Sequence, residues 1–367
     1  MRRLGLLLLS GLLVLVSSEP GNERQILAGQ HIVYSYPSSS QPPAELLDLT
    51  RAGLVGGIIL FGVNIDNQTA AAVQALKEAY GQSPAPALLK ARTGHEARFL
   101  VTADQEGGKV RRIRNGEPQQ SAKQIGASAD VAATARAAGG GAAQTLQTLG
   151  INANLAPVVD VFRQADDLMD HFERSFGNTS EAVAAAAVPF IQAQQEAGVA
   201  ATAKHFPGLG WAPRDANTDE RAVTIDQPSL EELRSIDEEP YRQAMAAGVA
   251  MVMASWAIYP ALDAQLPAGL SRCWMHDELR GRLGFEGVTI SDAMEAGAVT
   301  ALGDTATTGR MAAAAGLDIL LASSRNVSQG SQLREGLVAA LDDGSLDEAE
   351  FDEATRRIAA MRSRIAV

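Results

Sequence analysis

Apolar, β-branched stretches of strand length recur along the chain, and segments of helical composition lie between them. Continuous apolar runs are typical of strands buried on both faces, while segments such as EAVAAAAVPFIQAQQEAG have the length and Ala/Glu content of crossover helices. Eight such runs predict an α/β fold, a (β/α)8 TIM barrel. A doubly wound sheet is the alternative, but no G-x-G-x-x-G follows the first run. The predicted strands are HIVYSYP (from His31), GGIILF (from Gly56), RFLVTAD (from Arg98), NANLAPVVDV (from Asn152), VAATAKHF (from Val199), VAMVMAS (from Val249), GVTISD (from Gly287) and DILLAS (from Asp318).

Polar residues stand at the carboxyl ends of five of these eight predicted strands. A buried run that ends in a charged residue is costly unless that residue is hydrogen-bonded or functional. In barrels of this kind the chemistry sits at the carboxyl ends of the strands. We therefore expect a functional site at this end of the barrel. The strand-end residues are Asp104, Asp160, Lys204 with His205, Ser255 and Asp292.

The N-terminal segment has a different pattern. Two arginines precede an apolar run from Leu4 to Val16, and two serines follow it. This order predicts a signal peptide over residues 1–18 and an exported protein, periplasmic or extracellular. The run is shorter than the roughly 20 residues of an ordinary transmembrane helix, and an uncleaved membrane anchor is the alternative. No long linker interrupts residues 19–367, which are predicted to form one domain closed by two amphipathic helices from Gln332 onward.

Composition and charge limit the classes of partner and cofactor that we expect for this protein. The net charge is −12 and no cluster of basic residues is present, which disfavours a nucleic-acid partner. The only cysteine, Cys273, leaves no internal disulfide and no cysteine near the N-terminus for lipid attachment. The five histidines show no ligand spacing such as H-E-x-x-H, so we predict no metal and no cofactor. Nothing in the sequence indicates a protein partner.

Two arginine-containing segments are candidates for ligand binding. In ADQEGGKVRR, Asp104 could accept two sugar hydroxyls, Gly107 and Gly108 allow close approach of the backbone, and Arg112 could return to the same pocket. An Asp/Gly turn beside a solvated basic face is the alternative. In HFERSFG, the rigid donor fork of Arg174 suits a sugar or a carboxylate, although a solvated loop arginine is the simpler explanation of that segment alone.

Two further segments end predicted strands. KHFPG places Lys204 and His205 before a Pro-Gly turn, where at most one of the two side chains points into the barrel unless the strand end twists or bulges. TISDAMEAGAV places Asp292 at a strand-to-helix junction, where its carboxylate could serve as a nucleophile. An N-cap is the alternative for Asp292 and, judged alone, the better one.

The order of the motifs GGIILFGVN, DQEGGKVRR, GINANLAPVVDV, ERSFGN, KHFPG, MVMAS, PAGLS, LRGRLGFEGVTISD and AGLDILL resembles glycoside hydrolase family 3. The likeness is to its short single-barrel branch of bacterial β-N-acetylglucosaminidases and runs from about Gly53 to Leu321. It implies that Asp292 is the nucleophile of a retaining double displacement, kept ionised by surrounding Arg and Lys side chains. It also implies that a set of residues holds the sugar in the cleaved subsite. That set is Asp104, Arg112, Arg174, Lys204 and His205.

The sequence departs from this branch at the second catalytic group. In the branch, K-H-F-P-G-H-G is followed by D-S-H, whose His is the acid/base and whose Asp orients it. Here Leu209 replaces the first loop histidine, and D-A-N, Asp215 to Asn217, stands in place of D-S-H. Asparagine cannot exchange a proton at neutral pH, so the catalytic pair of the branch does not carry over.

Three hypotheses stay open at this position. In the first, Asp215, Asp219 or Glu220 is the acid/base, with its pKa raised by loop closure over an apolar residue such as Trp211. Asp215 is the first choice because its position is retained. In the second, the enzyme uses substrates whose leaving groups need little protonation, or passes the sugar to another acceptor. In the third, the barrel binds a carbohydrate without cleaving it.

The resemblance implies a glycosidase that hydrolyses O-glycosyl bonds, with a carbohydrate as its partner. The branch cleaves terminal β-linked N-acetylglucosamine, often from peptidoglycan fragments, while the altered loop leaves β-glucosides and β-xylosides open. A carbohydrate-binding protein on a glycosidase scaffold is the alternative, because Asn217 replaces the acid/base.

Overall fold

The computed structural model describes residues 20–366, and the predicted signal peptide lies outside them. Eight parallel strands close into one barrel in chain order, with the first strand paired to both the second and the eighth. Seven of these strands lie within the predicted runs, and β7 extends one residue beyond its run, to Ala293, so the predicted TIM barrel is confirmed. The strands are β1 (Ile32–Tyr34), β2 (Gly57–Ile59), β3 (Leu100–Ala103), β4 (Ala153–Asn154), β5 (Ala200–Phe206), β6 (Met251–Ala254), β7 (Val288–Ala293) and β8 (Ile319–Leu321).

Helices alternate with the strands, as a barrel of parallel strands requires. Within residues 20–366, none of them combines the length and apolar character needed to cross a bilayer. The α-helices are Pro20–Gln30, Ala44–Arg51, Thr69–Gly81, Ala85–Thr93, Ala122–Gly126, Val131–Gln147, Leu168–His171, Ser180–Glu196, Leu230–Glu232, Glu239–Ala246, Gly297–Thr300, Thr305–Ala315, Val327–Asp342 and Glu348–Arg364. The remaining helical segments are the 3₁₀ turns Gly62–Asn64 and Ala268–Leu270 and the π-helical segments Leu233–Asp237 and Cys273–Arg282.

Two hairpins project from this framework. One pairs Gln105–Gly107 with Val110–Arg111, directly after β3, and the other pairs Ile258–Tyr259 with Asp263–Pro267, after β6. Both follow the carboxyl ends of barrel strands, which are the ends that carry the polar residues. The hairpin after β3 shapes the site described below.

The core has two parts, one inside the barrel and one between the barrel and its helices. Inside, side chains such as Val33, Met251 and Ile290 are almost completely buried. The last helix adds Ile358 and Met361 to this inner cluster, so it closes the amino end of the barrel. Interior filling of this kind makes the barrel a packed core with its opening at the carboxyl end.

Two long helices illustrate why the outer layer packs closely. Val131–Gln147 and Ser180–Glu196 are capped by Asp130 and Thr179, whose side chains accept backbone N–H groups of the first turn. Such caps contribute about 1 kcal/mol each. Gly139 lets the helices approach, because a Cβ atom there would lie 2.3 Å from the carbonyl oxygen of Phe190.

Candidate active site

A cavity of about 820 Å³ opens at the carboxyl ends of the strands. This volume is typical of small-molecule sites. Apolar side chains, among them Phe61, Leu155 and Met253, line part of it. All seven site residues named from the sequence line this one cavity: Asp104, Arg112, Arg174, Lys204, His205, Asp215 and Asp292.

The end of β3 and the hairpin that follows it place two acidic side chains, Asp104 and Glu106, on the cavity floor. Asn154 in β4 holds the hairpin, because its side chain accepts the N–H of Gln105 at 2.9 Å and donates to the carbonyl of Gln105 at 3.0 Å. Gly107 adopts φ 118° and Gly108 φ 53° at the turn. A Cβ atom on Gly107 would lie 2.3 Å from the backbone oxygen of Gln120. These glycines therefore form the turn and pack on protein, whereas the sequence had suggested close approach to a ligand.

Ion pairs join the acidic and basic side chains of the floor. The Lys204 ammonium lies 2.9 Å from Asp104 and 2.7 Å from Glu106. Arg174 donates two hydrogen bonds to Glu106, at 2.9 and 2.8 Å, and Arg112 pairs with Asp104 at 2.8 Å. Bidentate pairs of this kind fix both side chains. The floor is therefore a preorganised set of charges, three cations against two carboxylates.

The pKa values of the floor groups keep all of them charged at neutral pH. Burial by itself would raise the pKa of Asp104, but Lys204 and Arg112 outweigh burial and hold it well below its usual range. Burial likewise opposes ionisation of Glu106, and the charges of Arg174 and Lys204 lower its pKa to about 2. The pKa of Lys204 is raised because the two carboxylates outweigh its desolvation.

His205 is held by a buried aspartate. Asp160 accepts the backbone N–H of His205 at 3.1 Å and lies 2.8 Å from its Nδ1. Because a carboxylate only accepts, Nδ1 carries the proton and Nε2 accepts from Arg174 at 3.3 Å. Lys204 and His205 both line the cavity although they are neighbours. The register of β5 against β6 shifts between Lys204 and Phe206, which is the irregularity this arrangement needs.

Asp292 lies near the end of β7 with a half-buried side chain. Its carboxylate accepts the N–H of Ala293 at 2.7 Å. The next helix begins at Gly297, with Ala296 as its N-cap residue, so Asp292 does not cap it. The carboxylate is thus available to the cavity.

The cations expected around Asp292 have other partners. Arg174 and Lys204 pair with Glu106, and no ion pair within residues 20–366 includes Asp292. The predicted direct pairing of Asp292 with arginine and lysine side chains is therefore absent from this part of the chain.

The loop after β5 forms the opposite wall. Asp215 lies on its outer side, with a side chain that is 87% exposed and 3.8 Å from Arg221. The Oδ1 atom of Asn217 accepts the N–H of Asp219 at 3.0 Å. Asn217 and Asp219 also line the cavity. Asn217 therefore shapes the turn that carries Asp219.

Trp211 does not cover the loop carboxylates as the sequence had suggested. Its ring packs under the guanidinium of Arg163, 4.8 Å from the ring centre, and Arg163 pairs with buried Asp237 at 2.6 Å. Trp211 is absent from the cavity lining. Any change in carboxyl pKa within this loop therefore has another cause.

Sequence reasoning missed two residues of the site, Glu106 and Glu295. Glu106 was visible in the DQEGG segment, and the two-residue alternation of a strand places it on the same side as Asp104. Glu295 accepts the hydroxyl of Ser323 at 2.7 Å and the amide of Gln329 at 3.1 Å. It follows Asp292 by three residues, and no sequence pattern distinguished it from a surface acid.

A second cavity, of about 730 Å³, lies at the amino ends of the strands. Two charged residues of its lining, Arg357 and Glu353, pair at 3.5 Å. Across residues 20–366, no three His, Cys, Asp or Glu side chains are grouped to hold a metal ion. The reactive groups with free acceptor positions therefore concentrate at the carboxyl end.

The family model described as glycosyl hydrolase family 3 N terminal domain matches residues 29–361. An uncharacterized secreted glycosyl hydrolase of Arthroderma benhamiae is 47% identical over 340 residues, which are 93% of this chain and 93% of that protein. A beta-hexosaminidase of Pseudomonas aeruginosa is 34% identical over 291 residues, 78% of this chain and 80% of that protein.

A solved structure shares both fold and sequence with this chain. The beta-N-acetylhexosaminidase of Beutenbergia cavernae superimposes with a TM-score of 0.80 at 31% identity, and the match covers 92% of this chain and 98% of that one. The likeness therefore extends over essentially the whole barrel and includes the strands that carry the cavity.

Proposed function

The chain belongs to glycosyl hydrolase family 3, and from this premise we propose that the glycosidase is exported and releases terminal β-linked N-acetylhexosamine with retention of configuration. The observation that carries the proposal is the position of Asp292. Its carboxylate faces a cavity whose floor is fixed by ion pairs, and it has no cationic partner within residues 20–366. A nucleophile needs this combination of free oxygen atoms and a rigid binding surface.

The proposed reaction starts with attack by an Asp292 oxygen on the anomeric carbon, which forms a glycosyl ester and expels the leaving alcohol. Water then opens the ester and restores the Asp292 carboxylate. Asp104, Arg112, Arg174, Lys204 and His205 would bind the sugar hydroxyls and the acyl group. Since their orientation is fixed before substrate arrives, little ordering is left to occur in the transition state.

The substrate class rests on the relatives. The Pseudomonas and Beutenbergia proteins are described as a beta-hexosaminidase and a beta-N-acetylhexosaminidase, and we extend that substrate class to this chain. The proposed export is supported by the predicted signal peptide and by the description of the Arthroderma relative as secreted. An exported enzyme would meet cell-wall fragments and oligosaccharides.

Asn217 is the observation that favours the second candidate function. It occupies the position of the acid/base histidine of the resembled branch, and its side-chain oxygen is used in a turn. Asp215 stays a predicted acid/base on the retained register. If no residue of the loop supplies the proton, the protein binds terminal sugars without turnover.

A paired assay tests the proposal. Wild type should hydrolyse both 4-nitrophenyl N-acetyl-β-glucosaminide and chitobiose, and Asp292→Ala should reduce kcat on the order of 10⁴-fold. Azide added to Asp292→Ala should restore turnover and yield the α-glycosyl azide, because a single displacement inverts the anomeric centre. Asp226→Ala, a change at an exposed acid outside the cavity lining, is the control.

Two results would contradict the proposal. Sugar binding by wild type without turnover of either glycoside would favour the binding protein. Activity of Asp292→Ala equal to wild type would assign the nucleophile to another residue.

A further inference from the structure

Given the proposed retaining glycosidase, we infer that Asp219 is its general acid and base, and that Asn217, in the place of the catalytic histidine, holds the turn that presents it. This inference deepens the proposed function and depends on it. Asp219 lines the same cavity as Asp292 and is exposed to solvent at the cavity mouth. A group that exchanges protons with substrate and water needs such a position.

The loop that carries Asp219 is fixed to the segment that follows Asp292. The backbone oxygen of Asp219 accepts the N–H of Gly297 at 2.7 Å, and the oxygen of Thr218 accepts the N–H of Ala298 at 3.1 Å. The contact is very close, since a Cβ atom on Gly297 would lie 2.2 Å from the backbone oxygen of Glu220. Gly297 follows Asp292 by five residues, so one short connection sets the relative position of the two carboxyl groups.

Asn217 sets the local geometry of the turn. Its side-chain oxygen accepts the N–H of Asp219, and its backbone oxygen accepts the N–H groups of Glu220 at 3.3 Å and Arg221 at 3.2 Å. A residue that binds its own backbone two positions on is typical of a turn. The asparagine has therefore become a structural residue, and the next acid along the chain faces the cavity.

The charges facing Asp219 suit a group that must carry a proton. Reduced hydration inside the cavity raises the pKa of Asp219, and the negative charges of Asp292 and Glu295 raise it further, while His205 and Arg174 lower it. Glu295 itself is occupied by hydrogen bonds from neighbouring donors. A general acid needs a pKa above the ordinary carboxyl value, and the surroundings of Asp219 change its pKa in that direction.

Asp215 and Glu220, the rival acids, are placed differently. Asp215 has a side chain that is 87% exposed, and its carboxylate lies 3.8 Å from the cation of Arg221. Glu220 lines the cavity and is exposed as Asp219 is, but the Asn217 side chain accepts the N–H of Asp219 and not that of Glu220.

The two proton transfers balance each other, and the reaction needs no further reactant. In the first step protonated Asp219 gives its proton to the glycosidic oxygen as the bond to the anomeric carbon breaks and Asp292 forms the ester. In the second step the Asp219 carboxylate takes a proton from water, whose hydroxide replaces Asp292 at the anomeric carbon. Both carboxyl groups end in their starting states.

A comparison of three variants on two glycosides tests the inference. The variants are Asp219→Asn, Asp215→Asn and Asp226→Asn. With chitobiose, whose leaving group is poor, Asp219→Asn should lower kcat/KM roughly 10²–10⁴-fold. With 2,4-dinitrophenyl N-acetyl-β-glucosaminide, the first step should be nearly unaffected in this variant. Azide should then accelerate turnover and yield the β-glycosyl azide, because azide opens the ester without a general base. The basic limb of the kcat/KM profile should also disappear in Asp219→Asn.

Asp226→Asn should match wild type throughout. An equal loss on both substrates in Asp219→Asn, without azide acceleration, would make its role structural and overturn the inference. So would loss of chitobiose cleavage in Asp215→Asn while Asp219→Asn remained active. Failure of the proposed function looks different, since wild type itself would then cleave neither substrate.

Discussion

The floor of the cavity and the loop after β5 both carry charged side chains. Those of the floor are buried and paired, whereas those of the loop are exposed. On the floor, Lys204 and Glu106 are 3% and 6% exposed and are joined by ion pairs. On the loop, Asp215 is 87% exposed and its nearest cation is 3.8 Å away. The floor is therefore a rigid binding surface whose charges do not change between pH 5 and 8. The proposed proton exchange takes place on the loop, where carboxyl groups reach water.

Asp292, the proposed nucleophile, lines the same cavity as these two regions. The floor has three cations and two carboxylates, and these are paired with one another and not with Asp292. The loop brings Asp219 to the other side, where the Asp292 charge raises the pKa of Asp219. Reduced hydration makes the largest contribution to this higher pKa, and the charge of Asp292 adds to it.

Among the changes that test the difference between floor and loop, we expect Glu106→Gln to have the largest effect. It leaves the cations of Arg174 and Lys204 short of a buried negative charge. Removal of one partner from a buried ion pair costs about 3 kcal/mol or more. We therefore expect the free energy of unfolding to fall by about 3 kcal/mol, measured by urea denaturation.

Glu196→Gln is the matched control for this change. Glu196 pairs with Arg136, and both side chains are more than half exposed. An exposed pair contributes about 0–1 kcal/mol. Equal losses in the two variants would show that burial of the floor ion pairs has no special effect.

The second prediction concerns acid pH. The pKa of Glu106 is about 2 in the folded protein and about 4.3 in an unfolded chain. A depressed pKa contributes stability that is complete above the unfolded value and is lost as pH falls through the folded value. The stability difference between wild type and Glu106→Gln should therefore shrink to about half by pH 3. A difference that stayed constant from pH 7 to pH 3 would contradict the lowered pKa.

Sequence patterns predict the floor better than the loop, for a physical reason. Strand periodicity and the rule that barrels react at strand ends locate Asp104, Lys204 and Asp292. The same alternation would have found Glu106. The loop has no periodicity, and its conformation depends on contacts with a segment about 80 residues away, such as the one between Asp219 and Gly297. Retained register consequently favoured Asp215, whereas the contacts of the loop led us to infer that Asp219 is the acid and base.

The smallest of these effects is expected from Gly297→Ala. The added methyl group would lie 2.2 Å from the backbone oxygen of Glu220, so the loop must move away from the segment that carries Asp292. We expect kcat on chitobiose to fall about tenfold, close to the effect of a 1.4 kcal/mol higher barrier, while KM changes little because the floor is untouched. Gly140→Ala is the control, since its helix position has no neighbour within 4 Å, and it should leave kcat unchanged. A Gly297→Ala enzyme with wild-type kcat would show that the position of the loop against this segment does not govern proton transfer.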